Sequence, residues 1–157
     1  MPDSVALRPM TDAEFTAYRA RAEREYAAQV ADSGQLDPES AAARAAEDYA
    51  RLLPDGLATP HMHLWTAVVA DEPVGLGWIE VQPREAGNTA WVYDIQVDEG
   101  RRGEGHGRGI MLALQQAARD LGAVSVGLNV FGHNTRAIRL YESLGYSVTG
   151  LQMKLEL

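Results

Sequence analysis

The spacing of apolar and polar positions changes period several times along the chain. Val5 to Pro9 reads as a short strand closed by proline. Thr11 follows, with Glu14 three residues on, the pairing of a helix N-cap with its capping-box partner. Phe15, Tyr18, Ala22 and Tyr26 then keep helical spacing, and the run fades at Asp32-Ser33-Gly34. Asp37 before Pro38 marks a second cap, and this alanine-rich helix should end near Leu53, ahead of Pro54-Asp55-Gly56. From there the period drops to two. His63 to Ala70 and Val74 to Val81 read as strands of a hairpin turned by Asp71-Glu72-Pro73. Gly87-Asn88 makes another turn, and Thr89 to Val97 a third strand of this group. A glycine-rich turn leads into a helix from about Arg108 to Leu121, with Met111, Leu114, Ala118 and Leu121 as its buried stripe and Gly122 as its stop. Val124 to Phe131 reads as a strand, and Asn134 caps a helix through Leu144, closed by Gly145. Tyr146 to Leu157 is expected to supply one or two last strands. The order β-α-α-β-β-β-α-β-α-β describes an α/β chain, a mostly antiparallel meander ahead of a βαβ unit.

Composition narrows the classes. A length of 157 residues, 46% of them hydrophobic, suits one globular domain. No apolar run approaches the roughly 18 residues of a membrane span. Met1-Pro2-Asp3-Ser4 has neither the basic region nor the apolar core of a secretory leader. The absence of cysteine excludes disulfides, thiolate metal sites and a cysteine nucleophile, and fits a cytoplasmic setting. Lys and Arg number 14 against 22 Asp and Glu, a formal charge of −8, which disfavours nucleic acid as a partner. The charge is compatible with a cationic substrate, and equally with solubility alone.

Against that acidic background, Arg101, Arg102 and Arg108 cluster around Gly103, Gly105, Gly107 and Gly109. A strand that feeds a glycine-rich turn and then a helix exposes unpaired backbone N–H groups at the positive end of the helix dipole, a site suited to phosphate. The register excludes a dinucleotide fingerprint: counted from Gly103 the third glycine position is Arg108, and counted from Gly105 it is Ile110. A P-loop needs a lysine, and the only lysine is Lys154. The pattern that does fit is Arg102-x-x-Gly105-x-Gly107. Downstream stand Leu128-Asn129-Val130-Phe131-Gly132-His133-Asn134 and Ala137-Ile138-Arg139-Leu140-Tyr141-Glu142-Ser143-Leu144-Gly145-Tyr146.

These two segments, at this separation, resemble the signatures of the GNAT superfamily of acetyl-CoA-dependent N-acetyltransferases. The resemblance is strong over residues 89 to 149 and extends in element order over 63 to 157. It implies a GNAT-like mixed sheet, mostly antiparallel, with a βαβ acyl-CoA-binding unit and helices on both faces. Residues 1–157 would form a single domain, with 11–53 as its helical, substrate-side segment and 89–149 as the acyl-CoA-binding core.

The resemblance also implies roles. Backbone groups of Arg102, Gly103, Glu104, Gly105, His106 and Gly107 would cradle the CoA pyrophosphate, with Arg108 beside them and no metal. Ile95 and Val97 would hold the pantetheine arm and acetyl carbonyl through their backbones, where a bulge splays the strand, and a backbone N–H would stabilise the oxyanion. Asn134 and Tyr141 lie two helical turns apart on one face, roughly 10 Å along the axis. Asn134 is expected on the CoA arm and Tyr141 at the thiol, as general acid for the leaving thiolate. Without the resemblance, Asn134 reads as an N-cap and Tyr141 as a core aromatic.

The base is less legible. The positions that carry it in such proteins fall on Trp91 and Tyr93. Asp94 is adjacent but by period two points to the other face unless a bulge rotates it, and Glu80 on the neighbouring strand is the second candidate. Each also reads as a structural residue, and a water chain could serve instead. His61 and His63 form an H-x-H pair without an obvious third metal ligand. His106 reads as exposed. Tyr18, Tyr26, Trp65 and Trp78 read as acceptor-pocket or core aromatics. The expected activity is direct transfer of an acetyl group from acetyl-CoA to a primary amine, in a small molecule or peptide. Polyamines and amino sugars fit the acidity, a protein N-terminus is a third option, and a homodimer is admitted. The alternative from another class is an acyl-CoA-binding or regulatory module with little catalysis, motivated by the missing base.

Overall fold

The computed structural model describes residues 4–157; Met1 to Asp3, where no leader is read, lie outside the described residues. The order is β1 (Ala6–Pro9), α1 (Asp12–Asp32), α2 (Pro38–Leu52), β2 (Met62–Val69), β3 (Glu72–Gln82), β4 (Asn88–Val97), α3 (His106–Asp120), β5 (Ala123–Leu128) and α4 (Thr135–Ser143). Two single 3-10 turns absent from the sequence reading, Gly56–Ala58 and Glu99–Arg101, lead into β2 and toward α3. The five strands lie in sequence order in one sheet, antiparallel from β1 to β4, with β5 supplying the one parallel pair. Residues up to Gly127 and residues Leu128–Leu157 form two compact units.

In the first unit, β3 decides how the layers pack. Leu76 and Trp78 point to one face, where they join Tyr18 and Ala22 of α1, Leu53 and Leu64 in a buried cluster. Gly75 and Gly77 alternate to the other face. A Cβ on Gly77 would come within 2.8 Å of Leu114, and one on Gly75 within 2.9 Å of Ile110 and 2.1 Å of the Gln96 carbonyl oxygen. Hydrogen in place of a side chain therefore lets α3 lie close on the strand. Helices thus cover both faces. The stripe of α3 is Ile110, Met111, Leu114 and Ala118; Leu121, expected within it, is 38% exposed at the helix end.

The caps behave as their side chains dictate. Glu14 N–H donates to Thr11 Oγ1 at 3.1 Å, and Thr11 N–H donates back to Glu14 Oε1 at 2.9 Å. Arg8 adds a two-pronged contact to the Glu14 carboxylate, at 2.7 and 3.0 Å. Asp37 accepts from Ser40 N–H at 3.0 Å, with Pro38 at the first helical position. The Arg8 guanidinium and the Thr11 N–H hold the Glu14 carboxyl down at about 2, against an ordinary 4.5. The folded value is depressed, so this contribution is complete above about 4.5 and disappears as pH falls toward 2. Glu14→Ala should therefore cost about 1 kcal/mol at neutral pH. Its urea unfolding curve should converge on that of the parent between those two pH values.

Three boundaries differ from the sequence reading by more than one residue. The β2–β3 hairpin turns on Ala70 and Asp71 alone, both at positive φ (50° and 65°), so Glu72 and Pro73 belong to β3. A two-residue turn of that hand matches strand twist. Helix α3 begins two residues early, at His106, and β5 ends at Leu128 rather than Phe131. Tyr146 to Leu157 form no strand, which corrects the expectation of one or two. Alternation there is real, but a strand exists only where its N–H and C=O groups pair with a neighbour. Here Leu151, Met153 and Leu155 are each more than 80% exposed.

Candidate active site

Strand β4 carries the feature that arranges the site. Trp78 pairs with Asp94 and Ile79 with Val92, so Tyr93 is the extra residue of a β-bulge. A bulge puts consecutive side chains on one face. Tyr93 stacks on Trp78, centroids 4.7 Å apart, and Asp94 Oδ2 accepts from Tyr18 Oη of α1 at 2.6 Å. Period two alone would turn Asp94 away; the bulge is the exception that rotates it onto the face of Tyr93. Beyond the bulge, Ile95 and Val97 pair with Gly77 and Gly75.

Asp94 is enclosed. Gln96 Nε2 donates to the same oxygen at 3.0 Å. Burial pushes the carboxyl up; hydrogen bonds from Tyr18, the Ile95 N–H and Gln96 oppose that rise. Burial and the Asp94 charge push the Tyr18 phenol far above its usual range, so it stays a donor. Arg21 lies over the Tyr18 ring, 5.8 Å from its centroid. This network ties α1 to the bulge.

Glu80 faces a cavity of about 400 Å³ on the β3–β4–β5 side of the sheet. Its Oε2 accepts from Tyr93 Oη at 3.0 Å and its Oε1 from Gln82 Nε2 at 2.9 Å. Burial and the Glu80 carboxylate push the Tyr93 phenol up, which keeps it protonated and donating. Arg84 Nη2 in turn donates to Gln82 Oε1. Trp91 and Tyr93 supply ring surface and Ser125 a hydroxyl. Gly127 accommodates the Trp91 ring, because a Cβ there would sit 3.0 Å from it. The sequence reading named Glu80 and missed Gln82 and Arg84; their i, i+2, i+4 spacing was the available signal.

The glycine turn is built as an approachable loop. Gly103 and Gly105 adopt left-handed φ values of 83° and 82°, and a Cβ on either would meet nothing within 4 Å. Gly105 caps α3 without a side-chain hydrogen bond. Arg102 Nε donates to the Val97 carbonyl oxygen at 3.2 Å, joining the loop to the end of β4. Glu104 accepts from Arg101 Nε at 3.0 Å and lies 2.8 Å from His106 Nε2. Hydrogen bonds from Arg101 and His106 hold its carboxyl below the usual range. The His106 side chain is 12% exposed, not the open surface group expected, because the early helix start turns it onto Glu104. The open loop, the glycine-capped helix start and the arginines fit a polyanionic phosphate group.

In the second unit, Asn134 is the N-cap of α4, its Oδ1 accepting from Ala137 N–H at 3.2 Å. Tyr141 packs edge-on to Tyr146, centroids 5.8 Å apart. Elsewhere, Tyr18 and Trp78 are core residues at 2% exposure each, and Tyr26 donates to Asp48. His63 stacks on Trp65, and burial, then His61, lowers its pKa. No group of three or more His, Cys, Asp or Glu is placed to hold a metal among the described residues.

A mixed sheet with a bulged fourth strand and an open glycine loop ahead of α3 defines an acyltransferase scaffold. The chain belongs to the GNAT acetyltransferase family, whose model matches residues 18–146, and it is an acyltransferase enzyme. The family generally uses acetyl-CoA. The chain is 36% identical to the uncharacterized N-acetyltransferase YycN of Bacillus subtilis, over 98% of this chain and 99% of that one. The crystal structure of YycN matches with a TM-score of 0.88 over the same shares. A mycothiol acetyltransferase of Nocardiopsis dassonvillei is 37% identical over 125 residues, 74% of this chain but 34% of that protein.

Proposed function

We propose that this enzyme moves the acetyl group of acetyl-CoA directly to a primary amine, with Glu80 as the general base. The observation that carries the reading is Glu80 itself, a carboxylate held by Tyr93 and Gln82 at the wall of an open cavity beside the β4 bulge. The amine nitrogen bonds to the acetyl carbon, its proton passes to Glu80, and the carbon–sulfur bond breaks. Tyr141 gives its phenolic proton to the departing thiolate. Asp94 was the other candidate base. It does not line the cavity, and Tyr18 and Gln96 already occupy its oxygen, so we read it as the tie between α1 and the bulge.

The glycine loop from Arg102 to Arg108, with the backbones of Ile95 and Val97, would hold the CoA moiety, and Asn134 would contact its arm. The open surface at Gly103 and Gly105 supports that assignment. The reading includes one domain over 1–157, with 11–53 on the acceptor side and 89–149 as the donor core. It places the enzyme in the cytoplasm, acting on a small-molecule or peptide amine without nucleic acid. No described helix is long and apolar enough to cross a membrane.

The test is amine-dependent release of CoA thiol, with the N-acetyl product verified by mass. Tyr141→Phe should lower kcat by about 10²-fold while CoA affinity, measured by calorimetry, holds. CoA binding with no amine-dependent release across a broad panel would instead make the protein a binding or regulatory module.

A further inference from the structure

The polar groups of the cavity are arranged in an ordered series. Tyr93 donates to Glu80, Gln82 bridges Glu80 and Arg84, and the series runs along alternate positions of β3 into the residues that follow it. One end is a carboxylate and the other a guanidinium, with a neutral amide between them. Two hydrogen bonds and one amide set these charges about 8 Å apart or less. The bridging amide uses its nitrogen on one charge and its oxygen on the other. Each charged group retains further hydrogen-bonding capacity: the guanidinium has five N–H donors and the carboxylate about four lone-pair sites. Trp91 and Tyr93, each 36% exposed, form the apolar wall.

We propose that this cavity takes a zwitterionic acceptor of amino-acid to dipeptide size, its amine at Glu80, its carboxylate on Arg84 and an apolar side chain on the rings of Trp91 and Tyr93. A ligand whose ammonium and carboxylate lie a few ångströms apart spans the gap when each end makes a hydrogen bond of about 2.9 Å. A diamine would set its second cation against Arg84, and like charges repel. A carboxamide would lose the charge-assisted bond that a guanidinium makes to a carboxylate. The cavity thus selects by charge pattern as well as by shape. The proposal rests on the acetyltransferase reading only in taking the cavity as the acceptor site.

Phenylalanine, phenylalaninamide and putrescine are the probes, used in acetyl-transfer kinetics and in calorimetric titration of the full chain. The acid should be preferred over the amide by at least about tenfold in kcat/KM and in Kd. Arg84→Gln should bring that ratio close to one, and Arg84→Lys should retain part of it. Arg84 is exposed, so neither change should unfold the protein. Equal or better use of the amide or the diamine overturns the proposal and leaves acetyl transfer standing, as does a ratio that Arg84→Gln does not move. Arg84-dependent binding of phenylalanine without its acetylation overturns the proposal that the cavity is the acceptor site and leaves acetyl transfer to other amines standing. Failure of phenylalanine to bind overturns the pocket.

Discussion

Replacing Glu80 with glutamine is expected to lower kcat/KM for the amine by about 10²- to 10⁴-fold. The change keeps size and shape. It keeps an amide oxygen able to accept from Tyr93, so the wall of the cavity should persist. What it removes is the capacity to take a proton. An ammonium nitrogen has no lone pair for attack on the acetyl carbon, and the base makes that lone pair available as the bond forms. Glu80→Asp should recover part of the rate, because the carboxylate remains but sits one methylene back from Tyr93 and Gln82. Single-turnover rates with saturating acetyl-CoA provide the measurement. A Glu80→Gln rate within threefold of the parent would move the base elsewhere, to Asp94 or to water.

Trp78→Ala should be the most damaging change to stability, at about 3–5 kcal/mol. Trp78 is 2% exposed and stands where the helical layer meets the site. Its ring lies 6.2 Å from Tyr49 on one side and 4.7 Å from Tyr93 on the other, and its indole N–H points at Met62 Sδ, 3.4 Å away. Alanine leaves a cavity that these larger neighbours cannot fill without leaving their own partners. For a chain of this length the midpoint of thermal unfolding should fall by roughly 10 °C. Trp78→Phe should restore much of that loss, since it keeps ring contact and gives up only the indole donor. The same substitution undermines Tyr93 from below, so activity measured well under the midpoint should also fall. A loss under about 1 kcal/mol would show that Tyr49 and Tyr93 repack freely.

These two residues mark the division between what is legible in the chain and what is not. Thr11, Asp37 and Gly122 predict their helix ends because capping is a local interaction, satisfied within a few residues. The glycine loop is legible for the same reason: left-handed backbone and a glycine-capped helix start depend on the residues that occupy them. The last strands were misread because alternation shows how a segment would pair, not whether a partner is there. Period two leaves the face of Asp94 open to a bulge, and the extra residue at Tyr93 decides it.

The sequence by itself determined the element order as far as α4, the helix caps, the left-handed glycines of the Arg102–Gly107 loop and, through two spaced motifs, the family. Each of these depends on residues close together along the chain. Only the tertiary structure decided that Tyr93 and Asp94 share a face, that Asp94 is bound to Tyr18 some seventy residues away, and that Glu80, rather than Asp94, opens onto a cavity with Gln82 and Arg84. Those outcomes turn on strand register and on which side chain a distant helix covers, and neither is encoded in any short stretch of residues.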